Sequence, residues 1–135
     1  MAVHKLSVSL DRDFARIAGP TIERVLRDPC LEHLRRLPAS ELEALIYCTL
    51  RHLSRWVSGE PQQTSASATL ITNLCFVRSV PLFEASCLLY ALRDTVVEID
   101  KLERLRAGIN SDPIGTEEAG PRFFELLVFE LLKGY

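Results

Sequence analysis

The stretch from Leu82 to Arg106 carries apolar residues on three sides of a helix, and this constrains the fold more than any other feature of the chain. Leu82, Ala85, Leu89, Leu92, Val96 and Ile99 alternate in steps of three and four, the spacing of a two-helix packing seam. Leu88, Ala91, Thr95 and Leu102 form a second row, and Phe83, Tyr90 and Val97 extend the apolar surface on the other side. A helix of this kind touches neighbours on most of its sides. It is the central helix of a bundle, half of a dimer interface, or both.

The C-terminal segment poses the same question more sharply. Pro121 opens a helix in which Phe123, Phe124, Leu126, Leu127, Val128, Phe129, Leu131 and Leu132 are interrupted only by Glu125 and Glu130. Left on a monomer's surface, that run would promote aggregation, so its own bundle or another chain must cover it. Leu89, Leu92, Val96, Ile99, Phe123 and Leu127 are the expected dimer or signalling seam.

The remaining chain reads as shorter helices. Phe14, Ile17, Ala18, Ile22, Val25 and Leu26 follow the 3.6-residue period behind Asp11, with Gly19-Pro20 predicting a kink or a division into two helices. Cys30 to Leu37 offers about two turns. Ser40 and Glu43 have capping-box spacing ahead of Leu42, Leu45, Ile46, Leu50, Leu53, Trp56 and Val57, and Ser58-Gly59-Glu60-Pro61 ends that helix. Gln62 to Ser67 is a loop or the exposed first turn of the next helix, whose stripe is Leu70, Ile71, Leu74, Cys75 and Val77. Proline at Pro81 suits the first turn of the long helix, and the glycine-rich stretch from Ala107 to Gly120 is the strongest loop signal. The expected fold is all-α: a helical bundle, globin-like arrangements included, with five to six helices and one long central helix. Residues 1–135 are expected to form a single domain, either complete or excised from a longer signalling protein.

With 16 basic and 18 acidic residues, the chain has no positive field to hold a nucleic-acid backbone. Its mean hydropathy of +0.10 is on the apolar side for a soluble chain, a surplus that a partner would cover. Cys30, Cys48, Cys75 and Cys87 lack CxxC spacing and read as buried thiols of a reducing compartment. Met1 to Leu10 alternates polar and apolar residues, unlike a signal peptide, and no apolar run is long enough to span a bilayer. A cytoplasmic location is therefore expected.

Catalytic apparatus is not recognisable. His4, His33 and His52 are not paired at i+3 or i+4, and nucleophile-elbow, P-loop and dinucleotide motifs are absent. Haem ligation by His33 or His52 fails on environment, since both have charged neighbours where a proximal ligand needs an apolar pocket. Neither an enzyme nor a cofactor protein is expected. Trp56 reads first as a core residue, and Arg78 and Arg93 as surface residues or partners of nearby carboxylates; the alternative makes Trp56 the wall of a ligand pocket with Arg78 and Arg93 as pocket residues.

A family resemblance rests on three features between Glu41 and Glu103. A capped leucine-rich helix ends in Trp56-Val57-Ser58-Gly59, a second ends in Phe76-Val77-Arg78-Ser79-Val80-Pro81-Leu82, and Glu84 to Asp94 follow as EASCLLYALRD. The segment resembles the N-terminal sensory domain of RsbR-type stressosome proteins, the RsbT co-antagonists, a domain also found ahead of some bacterial sensor histidine kinases. Arg78, Pro81, Leu82, Glu84, Leu92 and Arg93 fit the family phrase, whereas Ser79 and Val80 stand where it has a glycine. The resemblance implies a helical, haem-free homodimer that passes a stress or other signal to a downstream kinase or STAS module. The expected function is thus a non-enzymatic sensory and dimerisation domain in bacterial signal transduction. The alternative is a stand-alone adaptor binding a partner protein through the face around Phe123 to Leu132.

Overall fold

The computed structural model describes residues 10–60, 62–106, 108 and 119–133. Six helices account for nearly all of them: α1 (Leu10–Arg27), α2 (Glu32–Arg35), α3 (Ala39–Val57), α4 (Gln63–Arg78), α5 (Leu82–Arg106) and α6 (Ala119–Lys133). The expected all-α bundle is the observed fold. The loop expected from Ala107 to Gly120 falls outside the described residues except for Gly108, in a turn with φ +72°, and Ala119 and Gly120, which are helical and open α6.

Cross-helix contacts fix the direction of each element. Arg78 Nη2 meets Glu41 Oε2 at 2.6 Å, joining the end of α4 to the start of α3, while His52, late in α3, meets Ser67, early in α4. These two helices are therefore antiparallel. Arg16 reaches Glu103 at 3.2 Å and Arg24 reaches Glu98 at 3.3 Å, so α1 runs antiparallel to α5. The Trp56 and Phe123 rings lie 5.8 Å apart, which starts α6 beside the end of α3 and sends it the same way as α4. The long helices alternate in direction, and α2 lies beside the first turn of α5.

The core is continuous and mostly aliphatic. Leu42, Leu45, Ile46, Leu50 and Leu53 of α3 face Ile17, Ala18 and Val25 of α1, Ile71 and Cys75 of α4, and the inward face of α6. Leu88, Leu89 and Leu92 of α5 and Phe123, Phe124, Leu127 and Leu131 of α6 are almost wholly buried. Burying such a side chain contributes roughly 1.5–3 kcal/mol, so these two helices supply a large share of the stability. The centre is thus shared: α5 packs against α1 and α6, and α6 packs against α4, α5 and α3.

Two local expectations need correction, and a third, left open between loop and helix, is resolved as helix. Helix α1 continues through Pro20, because the prolyl ring and Arg16, whose carbonyl loses its donor, both lie on the exposed side. Helix α3 starts at Ala39, with Pro38 as its N-cap and no side-chain cap. The amides of Glu41 and Leu42 bond to the Pro38 carbonyl, which leaves Ser40 inside the first turn instead of at its boundary. Gln63 to Ser67 is helical, and the buried face of α4 is built from Thr64, Ser67, Ala68, Ile71 and Cys75.

Candidate functional site

The first turn of α5 places a carboxylate where the expected apolar seam begins. Glu84 is only 3% exposed. Its Oε1 accepts hydrogen bonds from the backbone amides of His33 and Leu34, both at 3.0 Å, and its Oε2 lies 2.5 Å from His33 Nδ1. Leu31, the N-cap of α2, provides no side-chain cap. Glu84 therefore caps α2 from another helix, satisfying amides that a helix start leaves open. The same negative charge reaches nearby thiols. Burial first, and then Glu84, pushes the Cys75 thiol above its ordinary range. Cys87 is raised by burial, then by Asp28, Cys30 and Glu84. Both favour the neutral thiol, which is a poor nucleophile.

A second polar contact lies between α3 and α4. His52 Nδ1 is hydrogen-bonded to the buried Ser67 hydroxyl. Burial, reinforced by Arg55 and Arg51, lowers the His52 pKa and favours neutral imidazole. The buried hydroxyls of Thr21, Thr49 and Thr95 bond to carbonyls one turn back. Among the described residues, no three His, Cys, Asp or Glu side chains gather as metal ligands would. No described helix is long and apolar enough to cross a membrane.

Among the described residues, two shallow depressions bear on the candidate site. One, of about 180 Å3, is an apolar groove between Ala44, Leu45 and Cys48 of α3 and Leu70 and Leu74 of α4. The other, of about 420 Å3, lies between Arg24, Arg93, Asp94, Val97 and Glu98 on one side and Pro121 on the other.

The expected seam residues Leu89, Leu92, Val96, Ile99, Phe123 and Leu127 lie together, but inside a single chain, each at most 7% exposed. This corrects their assignment to a dimer interface: neighbouring helices of the same chain cover them, leaving no surface for a second copy. The expected pocket residues are not brought together. Trp56 packs on Phe123 near the end of α3, whereas Arg78 pairs with Glu41 at its start, about 20 Å away along the helix. Arg93 is ion-paired with Asp94 and stacked over Tyr90 at 4.9 Å. Of these three, Arg93 borders the second of these depressions.

What the bundle leaves uncovered is the outer face. Phe76 is 86% exposed, Phe83 64%, and Phe129 and Leu132 each 61%, with Val77 and Tyr90 also open. No family model, curated protein or solved structure matches the chain.

Proposed function

We propose that the chain is a non-enzymatic regulatory input and dimerisation domain of a bacterial signal-transduction protein, of the histidine-kinase or stressosome type, acting in the cytoplasm. The observation that carries this reading is the division of polar and apolar groups. The buried Glu84 and Ser67 side chains and the half-buried His33 and His52 are used in bonds between helices. Large apolar residues, by contrast, stand open on α4, α5 and α6. Such a surface works by contact with protein. The turn at Ser79 adds support for the family resemblance. Its φ of +56° is left-handed, the conformation that the family's glycine would favour at this place. Signalling would proceed by a shift in helix packing that one ligand or partner stabilises over another. Sedimentation of the chain over a range of concentrations tests the reading. A reversible dimer is expected, and a monomer at every concentration would overturn it.

A further inference from the structure

We infer that a second copy of this chain docks on the outer face of α6 in antiparallel register centred on Phe129, with α5 widening the contact. The inference rests on the dimeric reading above and assigns that dimer a surface. Arg93 and Val97 share a depression with Pro121, which sets the register in which α5 and α6 run past each other in opposite directions. Continuing two to three turns along α6 reaches Phe129 and Leu132, and the matching distance back along α5 reaches Tyr90 and Phe83. Phe83 and Tyr90 stand in line with Val97 at seven-residue steps on one face of α5, so these open side chains and the exposed end of α6 flank the same α5–α6 boundary.

Charge and area both favour a second copy as the occupant. The outer face of α6 reads Arg122, Glu125, Phe129, Leu132 and Lys133, and Lys133 Nζ lies 5.9 Å from the Phe129 ring centre. A two-fold axis through Phe129 sets each position opposite the one equally far on its other side. Glu125 then faces Lys133 of the second copy, and Leu126 faces its Leu132, each pairing occurring twice. Arrangement of one sequence into a surface that complements itself is what an isologous interface requires. Phe83, Tyr90, Phe129 and Leu132 leave on the order of 400 Å2 of side chain open per copy. Flanking Arg122, Glu125, Leu126 and Lys133 bring the face to roughly 700 Å2, and two such faces reach the lower range of stable interfaces.

Sedimentation of the wild type, Phe129→Glu, Glu125→Lys, Lys133→Glu and the double charge swap tests the inference. Phe129→Glu should weaken dimerisation by about 100-fold or more, because it sets two carboxylates against each other on the axis. At a concentration low enough for the wild type to be monomeric as well, its melting curve should stay near that of the wild type, since Phe129 is mostly outside the core. Each single charge reversal should weaken the dimer by about tenfold or less, and Glu125→Lys with Lys133→Glu should restore it. A dimer that survives Phe129→Glu, or a double swap that fails to rescue, overturns this face while leaving dimerisation standing. A monomeric wild type overturns both.

Discussion

Replacing Glu84 by alanine would remove the side chain that caps α2. The Leu34 amide is buried and would lose its acceptor, which costs about 1–3 kcal/mol. The His33 amide and imidazole are only half-buried, so water replaces part of what they lose. With the small void left by the side chain, the total is about 3 kcal/mol, or a melting temperature about 10 °C lower for a chain of this size. Glu84→Gln keeps an oxygen for both amides and gives up the charge, so it should cost about 1 kcal/mol. His33→Ala should cost about as little, because its ring is partly solvated. In the double variant the two losses should not add, since the partners share one bond. Thermal and urea unfolding followed by circular dichroism measures all four. If Glu84→Ala melts within about 2 °C of wild type, or Glu84→Gln is as damaging as Glu84→Ala, the capping argument fails.

Leu92 is 1% exposed within one chain, so Leu92→Ala should destabilise by about 2–5 kcal/mol by the same amount at every protein concentration. A loss that grows on dilution would return Leu92 to an interface between copies. Ser79→Gly should raise stability by about 0.5–1 kcal/mol, because glycine adopts the left-handed turn without the strain a Cβ brings, and a lower melting temperature would refute this. The His52 pKa lies below its ordinary 6.5 in the folded chain. Just below that pH the unfolded chain binds more protons than the folded one, so stability falls as pH is lowered through the interval. His52→Gln should flatten that part of the melting-temperature profile, and an unchanged slope would exclude His52 as its source.

Large aliphatic side chains at helical spacing made much of this fold legible. Leu42, Leu45, Ile46, Leu50 and Leu53 were all expected inward in α3 and all are buried there. The same logic misled for α4, where apolar residues lie on every side. Its inward face uses Thr64, Ser67 and Ala68, while Leu70 and Val77 remain open. Hydropathy cannot anticipate that choice, because small residues permit the close approach of α3 and α6 and His52 satisfies the Ser67 hydroxyl. Seam periodicity likewise carries no mark of whether the partner helix belongs to the same chain, which is why Leu92 and Phe123 were assigned to a dimer. Glu84 was visible only as part of a family phrase. Its partners are 50 and 51 positions away, and nothing local signals that a carboxylate will cap a distant helix.

Phe83 and Glu84 are consecutive residues in the first turn of α5, about 100° apart around it. One stands open to solvent and the other is clamped to α2. Because the helix is stiff, a rotation of α5 that re-aims Phe83 also carries the Glu84 carboxylate. Both amide bonds to Glu84 are already 3.0 Å long, so a displacement of about 0.5 Å takes them to the limit of useful hydrogen bonding. The cap therefore opposes such a rotation with up to the roughly 3 kcal/mol that holds α2 in place, and the movement becomes a discrete step instead of a continuous drift. A signal entering at the outer face of α5 would have to break the cap on α2 to move the helix. Loosening that cap through Glu84→Gln lowers the barrier without touching the outer face.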